Sequence, residues 1–535
     1  MSTPDDYVTV LNQRGIKLWV ENGQLRYHAK KGALTPEELT QLRSMKGEII
    51  KQLTEAASSE AGDLSGHNTV DDIHVPLSFQ QLCLLKMLKM CPDWRATLSY
   101  TFHLKGTLNL KAVEKSIQEL LRRHDSLCAS TVCVRGEMMQ QILPPDAFRI
   151  PITLASGDSA TEKEHSAQQL LKSIRTRELD WSVAPSMTAQ LIRVAEQEHF
   201  LVLLIHRLAT DCLGVAQALR DLWDLYAKNA QFSSLTTLEE STLYRDYALW
   251  QQATDTTWRQ RHATYWNDYL AGAKPISWPP MECAPSKTQD MPGKLTSFES
   301  SFGATLSAAL KELSRQTQTL TALIVLSLYV ACLSLWCGQS DLLLPFIVAG
   351  RAASHEGVVG CFSQIAYLRI RLKGEENFDQ LLKLVSNEFY RAVAFRQDCG
   401  RMAADRPELL RGTLCQWLSW HPADIAWLEA EEHQNTPGLK VEQVRCQTLE
   451  ELTNAPPELV GLEVNFFEAA GQIAALAIYR TDRFSDSALE RLMLQLHTAA
   501  EHAVRDPRTP ISLYSKTADP ESTTGRGTGR LEIAE

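Results

Sequence analysis

Apolar and polar positions change period several times along the chain, and each change predicts an element. Leu18, Val20, Leu25 and Tyr27 alternate with polar residues around Asn22-Gly23. That dipeptide supplies the positive φ angles of a type I′ turn, so a β-hairpin is expected. Residues 7–14 ahead of it suit a short helix that Gly15 ends. Behind it, Thr35-Pro36-Glu37-Glu38 has the order of an N-cap, a first helical position and a capping-box acid. Leu39, Leu42, Ile49, Ile50 and Leu53 then mark an apolar helical face, with Gly47 as a point of division into two helices.

Further on, residues 199–205 (HFLVLLI) form an unbroken apolar run suited to a buried strand. It ends at His206-Arg207, and Val215, Leu219, Leu222 and Tyr226 follow at helical spacing. Polar residues therefore stand where a strand meets a helix, a common place for a site in an α/β fold. A lone histidine at a strand end reads first as a satisfied structural residue. The longest apolar run, 320–336, is broken by Thr321, Ser327, Tyr329 and Ser334, and a strand pattern follows at 342–348. This order predicts a buried core helix in an α/β domain, with no membrane insertion.

Between these patterns lie segments without period. Residues 55–72 (EAASSEAGDLSGHNTVDD) read as a flexible linker and 515–535, rich in Ser, Thr and Gly, as a disordered tail. A Pro-rich stretch at 274–293 divides the alternating helix and strand signals of 73–514. The expected organisation is a small unit at 1–54, the linker, one lobe at 73–273, the connecting stretch, a second lobe at 294–514 and the tail.

Composition excludes more than it names. The chain has 535 residues, 44% apolar and 22% charged, which suits a soluble multi-unit protein. A net charge of -10 argues against a general affinity for nucleic acid. Its 12 cysteines show no CxxC and no Cys/His ligand spacing, so neither zinc nor a disulfide framework is indicated. Free cysteines in apolar stretches and the acidic start MSTPDDYVTV, which is no signal peptide, point to the cytoplasm.

The segment 5–54 resembles the TubC-type docking domain found at the N-terminus of some nonribosomal peptide synthetase subunits. The resemblance implies an αββαα unit whose exposed strand accepts the C-terminal peptide of an upstream subunit by strand addition. Lys17, Arg26, Lys30 and Lys31 near the hairpin would favour an acidic peptide. Solvated lysines that protect a strand edge are the alternative.

A second resemblance rests on landmarks in order. His206-Arg207-Leu208-Ala209-Thr210-Asp211-Cys212 is similar to the HHxxxDG motif of condensation domains. Ser78-Phe79-Gln80-Gln81 resembles SxAQ, and Arg123-His124-Asp125-Ser126-Leu127 resembles RHExL. Tyr244-Arg245-Asp246-Tyr247-Ala248-Leu249-Trp250 resembles YxDFAxW. Val359-Gly360-Cys361-Phe362 resembles the start of IGxFVN, Arg396-Gln397-Asp398 a weakened HQD, and Tyr479 to Phe484 the closing YxxDxF. The chain is thereby identified as a member of the nonribosomal peptide synthetase condensation family. This implies two chloramphenicol acetyltransferase-like lobes in a V, with a tunnel entered from opposite faces by acyl and aminoacyl groups on carrier proteins. No cofactor is expected on the chain itself, since phosphopantetheine belongs to the carriers.

In that family the second His of the motif acts on the acceptor amine. Here it is Arg207, whose guanidinium stays protonated and cannot accept the amine's proton. His206 takes the first position, usually structural, and strand alternation should turn it away from the tunnel. Cys212 stands for the motif Gly, Gln364 for the Asn of IGxFVN, and Arg396 for the His of HQD. Gln81 and Ser363 complete the expected tunnel residues. Asp211 is kept, and the resemblance places Arg351 as its partner across the lobes.

Two functions remain open. One is an active acyltransferase forming an amide or ester, with Arg207 steadying an oxyanion or holding a carboxylate, since positioning can replace a base worth about 10²–10⁴-fold. The other is a catalytically silent scaffold that binds carrier proteins and recruits a partner enzyme. Adenylation and carrier motifs are not found, so the substrates are expected on other proteins, and no GxSxG or HExxH motif supports a hydrolase or metalloenzyme.

Overall fold

The computed structural model describes residues 17–21, 24–28, 46, 74–143, 148–231, 243–253, 256–278, 293–395, 405–418, 438–444, 449–514 and 528–529. The expected helices at 7–14 and 35–54, the linker 55–72, most of the Pro-rich stretch, Lys30, Lys31, Arg396 and most of the tail lie outside the described residues.

Near the N-terminus, β1 (Lys17–Glu21) and β2 (Gln24–His28) pair antiparallel, Glu21 opposite Gln24 and Lys17 opposite His28. This is the hairpin register that alternation around Asn22-Gly23 predicts. Lys17 thus lies on β1, and Arg26 lies on β2 opposite Trp19.

The next elements are β3 (His74–Pro76), α1 (Phe79–Met90), β4 (Thr97–Gly106), α2 (Leu110–Arg123), β5 (Ala129–Val134), β6 (Glu137–Ile142), β7 (Ile152–Leu154) and α3 (Ala160–Arg175). They continue with β8 (Met187–Ala195), β9 (Glu198–His206), α4 (Cys212–Gln231), α5 (Tyr244–Ala253) and α6 (Thr256–Tyr269). The remaining chain forms β10 (Leu295–Ser301), α7 (Gly303–Thr317), α8 (Thr321–Cys337), β11 (Asp341–Val348), β12 (Gln364–Arg371) and α9 (Phe378–Ala394). It ends with β13 (Gly412–Leu418), β14 (Leu439–Val444), the single turns α10 (Leu449–Leu452) and α11 (Pro457–Val460), β15 (Gly461–Ala469), β16 (Gln472–Arg480), α12 (Asp486–Arg505) and β17 (Thr528–Gly529).

These elements build two large sheets, beside a small three-stranded one of order β3-β6-β5. The first has the order β14-β4-β9-β8-β7, and the second β12-β11-β13-β15-β16-β10-β17. Strand β9 is the centre of the first, and Leu201, Val202, Leu203 and Ile205 are wholly buried, each contributing roughly 1.5–3 kcal/mol by leaving water. Helices α2 and α4 cover one face, packing Ile117, Leu121, Leu219 and Trp223 on Leu203 and Ile205, and α3 covers the other with Leu171 and Ile174. In the second lobe α8 is buried over most of its length and ends at Gly338, whose φ of 63° is the left-handed cap that glycine adopts readily. Among the described residues no single helix is long and apolar enough to cross a membrane.

Two segments cross the expected division. Strand β14 comes late in the chain, yet it pairs with β4 and completes the first lobe's sheet. Conversely, Trp266 and Leu270 of α6, and Ile276 beyond it, are buried in the core of the second lobe. Main-chain pairing and apolar burial therefore interlock the lobes where the sequence suggested a simple connection at 274–293.

Candidate functional site

The lobes meet where β9 gives way to α4. The final strand residue, His206, is fully buried, and its Nδ1 accepts from the Leu208 N–H at 3.1 Å. Burial, helped by the neighbouring Arg207 charge, lowers its pKa to about 4. The imidazole is thus a neutral structural acceptor, turned away from the cavity as alternation predicts.

Asp211 follows at the start of α4. Its Oδ1 accepts from the Gly214 N–H at 2.8 Å and pairs with Arg351 Nη2 at 2.7 Å. Its Oδ2 accepts from the Ser363 N–H at 2.9 Å, the Ser363 hydroxyl at 3.1 Å and the Phe362 N–H at 3.2 Å. Arg351 in turn donates to the carbonyls of Val358 and His355, and its guanidinium lies 4.3 Å from the centre of the Phe362 ring. These bonds occupy both Asp211 oxygens and both terminal nitrogens of Arg351, which offsets the cost of burying the pair, while Arg351 Nε has no partner among the described residues.

Beside this pair lies a cavity of about 200 Å³ whose lining includes Arg207, Asp211, Cys212, Ser363 and Gln364. The structure therefore brings together five of the expected residues, drawn from both lobes. Gln81 does not join them. Ser78 and Gln81 form a reciprocal capping box at the start of α1, and Gln81 Nε2 donates to the Leu208 carbonyl at 2.9 Å, so its side chain is committed to the core. One residue earlier, on the adjacent helical face, Gln80 reaches the cavity instead.

Arg207 sits on the wall with two of its nitrogens bonded to main-chain carbonyls. Its Nε donates to the Arg95 carbonyl at 3.2 Å and its Nη2 to the Glu451 carbonyl at 3.1 Å, while its guanidinium lies 5.1 Å from the centre of the Trp94 ring. The Glu451 side chain also lines the cavity and accepts from the Ser99 hydroxyl. Glu451 and Asn454 escaped sequence reading because α10 is a single turn without a readable period. Among the described residues that line the cavity, none is a histidine.

The landmarks around Ser78, Asp125, Tyr244 and Gly360 converge on the same junction in supporting roles. Asp125 accepts from the N–H groups of Tyr244 and Arg245, capping α5, and the Tyr244 hydroxyl reaches Ser78 Oγ and the Cys361 carbonyl, each at 2.7 Å. A Cβ on Gly360 would stand 2.0 Å from the Tyr244 ring, so only glycine allows this approach. Among the described residues no group of His, Cys, Asp and Glu is arranged to hold a metal ion.

Two lobes, each a sheet backed by helices, enclosing a polar junction site define an acetyltransferase-like double fold. The Condensation domain profile matches residues 72–524 and that of the TubC N-terminal docking domain residues 5–55, so the chain belongs to the condensation-domain family and carries a docking domain. A linear gramicidin synthase protein of Brevibacillus parabrevis is 27% identical over 472 residues, covering 85% of this chain; the chain spans only 9% of that relative's length. The complex of the X-domain and OxyB from teicoplanin biosynthesis matches 84% of this chain and 97% of the X-domain chain at TM-score 0.68 and 18% identity. A condensation domain for chain release from the enacyloxin polyketide synthase matches 97% of both chains at TM-score 0.61 and 16% identity. These likenesses establish two chloramphenicol acetyltransferase-like lobes. The family is one of acyltransferase-type domains in nonribosomal peptide synthesis.

Proposed function

We propose that this chain is a non-condensing member of its family, a scaffold that holds carrier-borne acyl or peptidyl chains and presents them to a partner enzyme. The observation that carries this reading is the state of Arg207. At the position where the family resemblance calls for an imidazole stands a permanent cation whose Nε and Nη2 donate to the carbonyls of Arg95 and Glu451. Such a group cannot accept a proton from an attacking amine, and two of its nitrogens are held by main-chain carbonyls. His206 does not replace it, being buried and hydrogen-bonded to the main chain.

The fold around the cavity supports retained binding. Asp211 and Arg351 keep their ion pair, and the cavity lies beside them. The likeness to a teicoplanin X-domain, solved with OxyB, supports recruitment of an enzyme as a use for such a fold. Carrier proteins would bring phosphopantetheine with the substrate. The docking hairpin would take the acidic C-terminal peptide of an upstream subunit by strand addition, with Lys17, Arg26, Lys30 and Lys31 as the attracting charges. The described cysteines are all unpaired, which supports a reducing cytoplasm.

The test is incubation with acyl- and aminoacyl-loaded carrier proteins, read by intact-protein mass spectrometry. Product should form no faster with the protein than without it, while native mass spectra show it bound to loaded carriers. Protein-dependent condensation would overturn the scaffold reading and restore the active one.

A further inference from the structure

The first lobe's sheet ends on an apolar strand. Strand β7 stands last in the order β14-β4-β9-β8-β7 and pairs parallel with β8, Ile152 opposite Leu191 and Leu154 opposite Arg193. The Leu191 N–H donates to the Pro151 carbonyl and the Ala155 N–H to the Arg193 carbonyl, each at 2.9 Å. Main-chain groups alternate in direction along a strand, so residues 151, 153 and 155 face β8 while Ile152 and Leu154 turn theirs outward. The two side chains lie on the sheet face that holds Leu191 in the core under α2 and α4. Unlike Leu191, they are 46% and 67% exposed. Edge strands often carry charges that block pairing, and Ile152-Thr153-Leu154 carries none.

The charges stand around the edge instead, and they are mostly cationic. Arg193, directly opposite Leu154, is exposed and has no ion pair among the described residues. On the other face, Gln190 Nε2 donates to Thr153 Oγ1 at 3.0 Å while its Oε1 accepts from Arg177 Nη1 at 2.9 Å, which holds a second guanidinium beside β7. Arg149, three residues before the strand, is a third, with its side chain 79% exposed. The acids nearby are largely committed. Glu114 bonds Arg149 and the Ile150 N–H, Glu162 bonds the N–H groups of Asp158 and Ser159, and Asp158 itself lies past the end of the strand.

We propose that β7 is a strand-acceptor edge for an extended acidic segment of a partner protein. Aliphatic residues at alternate positions of that segment pack on Ile152 and Leu154, and its carboxylates meet the arginines. Main-chain bonds to the outward groups of Ile152 and Leu154 set the register. A second copy of this chain is the poorer occupant, because pairing β7 with its own image brings Arg149, Arg177 and Arg193 toward the same three cations. The edge belongs to a different sheet from the N-terminal hairpin, and it stands whether or not the chain condenses substrates.

Fluorescence anisotropy with the full-length protein tests this, using a labelled acetyl-EIEIEIE-amide peptide and, as the control of equal alternation and opposite charge, acetyl-KIKIKIK-amide. Lys17→Glu and Arg26→Glu together form the background, so that the N-terminal hairpin does not compete for the acidic probe. The acidic peptide should bind saturably and slow hydrogen exchange at 151–155, and the basic one should not bind. Leu154→Pro removes one outward N–H and one aliphatic contact while sparing the bonds to β8, and should weaken binding about 10-fold. Arg193→Glu should weaken it about 5–10-fold. No saturable binding, equal binding of the two peptides, or protection that spares 151–155 would each overturn the proposal. Self-association of the protein alone that Leu154→Pro abolishes would do so too, since a second copy would then hold the edge. If Leu154→Pro melts early, unchanged binding by Arg193→Glu, which alters an exposed side chain, overturns the proposal instead.

Discussion

Arg351 Nη2 lies 2.7 Å from Asp211 Oδ1, an ion pair that ties the first turn of α4 in one lobe to the segment after β11 in the other. Both side chains are at most 10% exposed. Removing either partner leaves the other charge buried, so Asp211→Asn and Arg351→Ala should each destabilise by about 3–5 kcal/mol in urea unfolding. The double variant should lose less than the sum. Gly214→Ala should weaken the same contact, since its Cβ would stand 2.3 Å from Thr210 Oγ1 and 3.1 Å from Arg351 Nη2.

Arg207 is expected to behave as a tie rather than a catalyst. Arg207→Lys keeps the charge and loses the planar fork that reaches two carbonyls, and should cost about 1–3 kcal/mol in denaturant unfolding. The yield of condensed product from loaded carriers should be the same for both proteins. A loss of stability without a change in yield is the signature sought, and a fall in yield below that of the native protein would restore Arg207 to the chemistry.

Much of this site is readable in the sequence because it lies on strongly periodic elements. The unbroken run of β9 and the helical spacing of α4 bracket residues 206–212, and the order of the landmarks brings Ser363 and Gln364 to the same place from over a hundred residues away. The misassignment of Gln81 has a local reason: Ser78 and Gln81 have capping-box spacing, and the cap claims the side chain that the motif suggested for the tunnel. What escaped reading depends on tertiary pairing. Nothing local in residues 439–444 announces that they join β4, and Glu451 and Asn454 reach the cavity only because that crossing carries them there.

His206 gives an acid-side signature. Its native pKa is lowered to about 4 by burial first and the Arg207 charge second, against an ordinary value of 6.5. Above 6.5 both folded and unfolded chains hold it neutral, and its contribution is fully present. Below that, the unfolded chain takes up a proton the native site refuses, so stability is lost as pH falls toward 4, by up to about 3 kcal/mol. His206→Gln, able to accept from the Leu208 N–H but not to titrate, should show a smaller fall in urea midpoint between pH 7 and pH 4.5 than the native protein. Equal falls would remove His206 as the cause.

Glu463 should act in the opposite direction. It lies within β15, 3% exposed, and burial raises its pKa from 4.5 to about 7, against the opposing pull of hydrogen bonds from the Asn454 N–H and side-chain amide. Below about 4.5 the carboxyl is protonated in both folded and unfolded chains and imposes no penalty. As pH rises through 7 the unfolded chain ionises first, so the native state loses up to about 3 kcal/mol relative to acid conditions, and the loss is complete once the native carboxyl has also ionised. Glu463→Gln removes the titration while keeping an acceptor for Asn454. The stability difference between this variant and the native protein should therefore shift in the variant's favour from pH 5 to pH 8. The same ionisation strengthens the hold on Asn454, three residues from the Glu451 carbonyl that receives Arg207. Amide exchange at 449–454 should thus slow over the pH range in which global stability declines, once corrected for the intrinsic pH dependence of exchange. Exchange that quickens there after that correction would separate Glu463 from the wall of the cavity.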